Sequence, residues 1–153
     1  ALQIFDSWVG AVNSTEYEQA IFPHMKRIIS TVKSRFPNLP LAMNGVGTDH
    51  LVSTWAKLPL DVIALDWRSS LGAAKDRGVT QTVQGNLDPA YLYGDTKTIA
   101  KVVDEILMDG VRHGKHVFNL GHGVFPEADP AKLHWLTDYV HEKSRELWAR
   151  ESR

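Results

Sequence analysis

The strongest constraint in this chain is an alternation. Five short apolar runs, Gln3–Phe5, Leu41–Met43, Val62–Leu65, Thr82–Val83 and His116–Leu120, are each followed by residues at helical spacing. Short apolar runs bounded by polar turns read as buried strands, and apolar residues three and four apart read as one face of a helix. From Ser14 to Phe36, Tyr17, Ile21, Met25, Ile28, Ile29 and Val32 make such a face. Asn13 and Glu16 fit a capping-box variant at its start, and Pro23 should kink or divide it because it has no N–H to donate. Shorter helices are expected over Asp49–Lys57 and Ser69–Arg77, with Gly78 as a left-handed stop. Asp95–His113 buries Ile99, Val102, Val103, Ile106 and Leu107 and stops at Gly114. The last helix opens on Asp129 as N-cap with Pro130 behind it, and turns Leu133, Leu136, Val140 and Leu147 inward. Its Arg145–Arg153 end reads as solvated and fraying.

Alternating strands and helices make an α/β chain with a mainly parallel sheet. Two architectures share that pattern. A (β/α)8 barrel takes about 250 residues for its eight units. A flavodoxin-like doubly wound sheet has five parallel strands and would be complete at 153 residues. Periodicity leaves both open. The chain starts on Ala1-Leu2-Gln3-Ile4-Phe5, already strand-like and without a signal-peptide pattern, so it is expected to be a piece of a longer protein.

Composition narrows the chemistry. With 17 Lys+Arg against 18 Asp+Glu the net charge is −1, and no cationic stripe is present to meet phosphates, so no nucleic-acid partner is expected. No apolar stretch approaches the roughly 20 residues that cross a bilayer, so no membrane partner is expected either. Zero cysteines exclude disulfides, thiolate nucleophiles and Cys-ligated metals.

In either architecture functional groups sit at the C-terminal ends of the strands. Those ends carry Asp6-Ser7-Trp8, Asn44-Gly45-Val46-Gly47, Asp66-Trp67-Arg68, Gln84-Gly85-Asn86-Leu87-Asp88-Pro89 and Asn119-Leu120-Gly121-His122-Gly123. Each has a plain structural role to weigh. The three aspartates suit caps and turns, Asp88-Pro89 above all, and Trp8 and Trp67 suit packing. His122 is the sharpest candidate, since two flanking glycines leave its imidazole facing the strand ends, where it can bond a carboxylate or move a proton. His24, His50, His113, His116, His134 and His141 have no ligand spacing, so a histidine metal site is not expected. Ser7 can meet His122 across a barrel mouth, yet no G-x-S-x-G elbow or phosphate loop is present.

At these same segments the sequence resembles the C-terminal part of the uroporphyrinogen decarboxylase family. Gln3-Ile4-Phe5-Asp6-Ser7-Trp8-Val9-Gly10, Leu65-Asp66-Trp67, Val83-Gln84-Gly85-Asn86-Leu87-Asp88-Pro89 and Phe118-Asn119-Leu120-Gly121-His122-Gly123 carry the likeness, followed by Pro126 and the helix to Val140-His141. The resemblance implies a (β/α)8 TIM barrel of which residues 1–153 hold strands four to eight, in one domain whose first three units lie elsewhere. It implies a cytoplasmic carboxy-lyase, typically a homodimer, that needs no cofactor or metal. That enzyme removes carboxyl groups from the four acetate side chains of uroporphyrinogen, giving coproporphyrinogen on the way to haem. By the same resemblance Ser7 contacts a substrate carboxylate, His122 lines the cleft and Phe5 is an apolar wall. The family's central Asp, its N-terminal arginines and its substrate-facing Tyr have no counterpart here.

The charge pattern agrees with that division. An eight-carboxylate substrate needs cations, and at these strand ends only Arg68 and neutral donors are offered. Two alternatives remain at this level. One is a zinc- and corrinoid-linked methyltransferase of the same fold, which the absence of cysteine disfavours. The other is a non-catalytic tetrapyrrole-binding module.

Overall fold

The computed structural model describes residues 1–151. Five strands form one parallel sheet: β1 (Leu2–Asp6), β2 (Leu41–Gly45), β3 (Val62–Ala64), β4 (Thr82–Leu87) and β5 (His116–Leu120). All five are where the apolar runs place them. Three of them, β1, β2 and β4, run further into the polar residues at their C-terminal ends, because ladder pairing there involves backbone only. Asp6 pairs with Gly45, and Asn86 with Asn119.

The order in the sheet is β1-β2-β3-β4-β5. This decides between the two architectures. A flavodoxin-like sheet places its first strand inside the order and reverses direction beside it. Here β1 is an edge and the winding never reverses, as in a barrel. Parallel neighbours need crossovers, which are right-handed, so consecutive crossovers in one direction all lie on one face.

That face is the core. Leu41, Met43, Ile63, Leu65 and Val83 are buried against Tyr17, Ile29, Leu51 and Trp55 from the connections. Leu87 joins a second cluster with Ile99, Val103, Leu107, Leu136 and Val140. Strand residues alternate in direction, so the intervening positions point to the opposite, concave side. Phe5 there is 71% exposed.

The helices show which local signals were sufficient. Asn13 caps α1 (Ser14–Glu16), its side chain accepting from the Glu16 N–H at 2.9 Å. A π-helical segment, Tyr17–Ile21, follows, and α2 (Phe22–Arg35) begins with Pro23 in its first turn. The division expected at Pro23 is therefore made by wider winding ahead of it, where a missing N–H costs nothing. The Asp49–Lys57 helix is a 3-10 turn, Asp49–Leu51, running into α3 (Val52–Trp55). Asp95 caps α4 (Thr96–His113), and Gly114 ends it at φ 94°. Asp129 accepts from the Ala131 N–H at 2.9 Å where α5 (Pro130–Glu151) begins.

Two expectations fail. Ser69–Arg77 is no α-helix: only Lys75–Arg77 winds, as a 3-10 turn before Gly78 at φ 81°. Ser69 and Ser70 are weak helix formers, Gly72 weaker still, and Asp66 holds the start of the segment in a turn. The Arg145–Arg153 end is solvated as expected, with Arg145 and Arg150 exposed, but it is helical as far as Glu151 instead of fraying there; its last two residues lie outside the described residues. No helix among the described residues is long and apolar enough to cross a membrane.

Candidate functional site

The concave side holds a cavity of about 540 Å³ at the C-terminal ends of the strands. Gln3, Phe5 and Ser7 line it from β1 and the residue beyond, Asn44 and Val46 from β2 and its loop, Asn119, Leu120, His122, Gly123 and Val124 from β5 and its loop, and Leu133 from α5. The sheet curls enough for its two edge strands to face one space. Ser7, Phe5 and His122 are thus brought together, as a barrel mouth requires.

Gln3, Val124 and Leu133 line the cavity without having been marked for it by sequence reasoning, and Gln3 is the polar one. Its signal was available, since residues two apart on a strand share a face with Phe5 and Ser7. A smaller cavity of about 450 Å³, under His116, Val117 and Trp148, lies toward the other end of β5.

A chain of backbone contacts sets the rim. A side chain on Gly10 would put its Cβ 2.1 Å from the Val46 carbonyl, so the loop after β1 sits directly on the loop after β2. Gly47 then donates its N–H to Asp66 Oδ2 at 2.7 Å. Asp66 is fully buried. It also accepts from the Arg68 N–H at 3.2 Å, Arg68 Nη1 at 2.8 Å and the Ser69 hydroxyl at 3.5 Å. The Asn86 amide donates to the carbonyls of Asp66 at 2.9 Å and Ser69 at 2.6 Å. Gly121 donates to the Leu87 carbonyl at 2.7 Å and lies against the Trp67 backbone. The loops after all five strands are therefore coupled, and Asp66 is their hub.

Each aspartate at the strand ends has a different fate. Asp88 makes the expected turn, accepting from the Ala90 N–H at 2.9 Å. Asp66 fastens loops instead of capping a helix. Asp6 faces the helix layer beside Tyr17, and burial pushes its carboxyl up from the ordinary range. Burial likewise pushes Tyr17 up to about 12; its hydroxyl accepts from Trp55 Nε1 at 2.9 Å.

The tryptophans also divide. Trp8 is 87% exposed, so the packing role expected for it is wrong: the turn at Val9–Ala11 buries Val9 and leaves the indole outside. Trp67 does pack, with the Arg68 guanidinium carbon 4.1 Å above its ring centroid and the His122 ring edge-on at 6.0 Å. His122 is exposed, and its Nδ1 lies 3.5 Å from the Gly123 carbonyl. Two further histidines, which their spacing marked as scattered, fasten β4: His113 Nε2 is 2.8 Å from the Gln81 carbonyl and His116 Nε2 is 2.7 Å from the Gly85 carbonyl.

Chemically, the cavity presents amides, a hydroxyl and an imidazole around one apolar wall. These groups hydrogen-bond anionic oxygens without bringing a fixed charge of their own. Among the described residues, no three His, Asp or Glu side chains converge as a metal-binding group.

Comparison with known proteins agrees with this geometry. The family model described as uroporphyrinogen decarboxylase (URO-D) matches residues 1–143. Uroporphyrinogen decarboxylases of Staphylococcus aureus strains JH9 and Newman are each 49% identical over 140 residues, 92% of this chain and 40% of theirs. The chain thus spans 40% of the length of the curated relatives it matches. Among solved structures, a methyltransferase from Methanosarcina mazei superposes with a TM-score of 0.72 over 95% of this chain and 42% of its own, at 16% identity. At that identity the likeness shows a shared fold alone. The match over residues 1–143 and the 49% identity go further: the chain belongs to the uroporphyrinogen decarboxylase family.

Proposed function

We propose that this chain is the C-terminal portion of a uroporphyrinogen decarboxylase, residues 1–153 supplying strands four to eight of a (β/α)8 barrel. The observation that carries the reading is one cavity, rimmed by coupled loops, that gathers Ser7, Phe5 and His122 at the C-terminal ends of a sequentially ordered parallel sheet. A substrate with eight carboxylates needs hydrogen-bond donors spread over a wide mouth, and Gln3, Ser7, Asn44, Asn119 and His122 offer neutral ones from β1, β2, β5 and their loops.

In this reading Ser7 and His122 hold anionic side chains while Phe5 forms the wall against a pyrrole ring. Decarboxylation proceeds when a ring carbon takes a proton and the protonated ring accepts the electron pair of the breaking C–C bond. Carbon dioxide leaves, and protonation of the exocyclic carbon with loss of the ring proton restores the pyrrole. The main anchor for the pyrrole N–H groups comes from the part of the barrel that this chain does not hold. The assembled enzyme is a cofactor-free homodimer of the cytoplasm.

The test is a chimera. The Staphylococcus aureus decarboxylase is built with its matching 140-residue segment replaced by this chain's residues. Conversion of uroporphyrinogen to coproporphyrinogen is expected. A folded chimera without that activity overturns the reading.

A further inference from the structure

Arg68 differs from every other cation of the chain in where it stands. In the segments that lead from a strand's end to the next helical turn (7–8, 46–48, 65–74, 88 and 121–129), it is the one Lys or Arg. Its side chain is held at two points. Nη1 donates to Asp66 Oδ2 at 2.8 Å, and the guanidinium carbon stacks 4.1 Å from the Trp67 centroid.

A counter-ion for Asp66 is the plain account of this arrangement, and it leaves something over. The Asp66 carboxylate is itself 0% exposed and already takes the N–H groups of Gly47 and Arg68 besides the guanidinium. The Arg68 side chain is 52% exposed. A guanidinium carries five N–H donors, so pairing through Nη1 leaves a donor edge turned to solvent. That edge belongs to a cation whose rotamers are already restricted by the stack and the ion pair, which lowers the entropy lost on binding. The Trp67 ring also meets the ring of His122, which lines the cavity. Arg68 thus reaches the cavity's edge through Trp67 and His122, of which only His122 lines it.

We propose that Arg68 is a docking cation that receives one carboxylate of the tetrapyrrole, a group that stays on the molecule throughout the reaction. The proposal rests on the decarboxylase reading above and adds a residue to it. The choice of a retained carboxylate follows from the electrons. A departing carboxylate must give up its negative charge as the C–C bond breaks, so a cation gripping it stabilises the ground state and opposes the step. A cation on a retained carboxylate stabilises substrate and transition state alike. Its loss therefore appears in KM and leaves kcat alone.

The measurement uses the chimera, with uroporphyrinogen as substrate. Arg68→Gln is expected to raise KM about tenfold, the worth of one charge-assisted hydrogen-bonded contact, with kcat within about twofold of the parent. Arg68→Lys should raise KM as well, because an ammonium keeps the charge for Asp66 but neither stacks nor presents a fork. If Arg68→Gln does not fold, Arg68→Lys decides alone. An unchanged KM, or a loss confined to kcat, overturns the docking role and leaves the decarboxylase reading standing. So does a KM change that appears only in step with a fallen Tm. An inactive parent chimera overturns both.

Discussion

At the scale of single residues, two histidines that look alike in sequence do different work. His122 is exposed at the cavity, so its removal should not cost folding. In the chimera, His122→Ala is expected to lower kcat/KM roughly 10- to 100-fold, as loss of a hydrogen bond to a charged group implies. Its Tm should stay within the range of an ordinary surface substitution. Turnover equal to the parent would remove His122 from the site. His116 is structural. Burial holds its pKa below the ordinary 6.5, helped by the nearby charge of His113 and opposed by its bond to the Gly85 carbonyl. A histidine with a lowered folded pKa binds fewer protons folded than unfolded, so its contribution is intact above about pH 6.5 and falls as pH drops below it. Thermal melts between about pH 7.5 and about pH 5 should show a steeper loss of Tm for the parent than for His116→Asn. Equal slopes would clear His116 of that role. Nothing in the sequence separated these two residues except the glycines beside His122.

At the scale of elements, the seam between α4 and β5 is closed by a missing side chain. A Cβ on Gly110 would lie 2.2 Å from His116 Nδ1 and 2.8 Å from His116 Cβ. Alanine gains about 1 kcal/mol of helix propensity, but overpacking here meets the root of the imidazole, where rotation gives no relief. Gly110→Ala is therefore expected to lose about 2 kcal/mol net, and roughly 4–8 °C of Tm for a domain this size. Adding His116→Ala should recover part of that loss; additive effects would show that the two residues are not coupled. Elements of this kind were largely legible beforehand. The caps at Asn13, Asp95 and Asp129 are local bonds between a side chain and the next turn's N–H, so a few residues suffice to announce them. The Ser69–Arg77 segment was illegible for the opposite reason. Its path is set by Asp66, Asn86 and Gly47, of which Asn86 belongs to β4 and Gly47 to the loop after β2.

At the scale of the molecule, sheet order was the decisive fact, and no window of sequence contains it. The five runs announced the strands, but only their sequence in space shows that β1 is an edge. Within the described residues β1 pairs with β2 alone and β5 with β4 alone. Exposed Phe5 and Val117 mark the curled face between those edges. On the proposed reading the main anchors lie outside this chain, so the 153-residue chain should form no coproporphyrinogen from uroporphyrinogen. Product formation by the purified chain would contradict that. Of the cavity's lining, Ser7 and His122 were legible in the sequence, and the loop contacts made by backbone alone were hidden. The glycines on either side of His122 illustrate the difference. A Cβ on Gly121 would stand 2.5 Å from the Trp67 nitrogen, whereas one on Gly123 meets nothing within 4 Å. Evolutionary drift should therefore treat them unequally: any lineage keeping this backbone must keep the first glycine, while the fold leaves the second free to change.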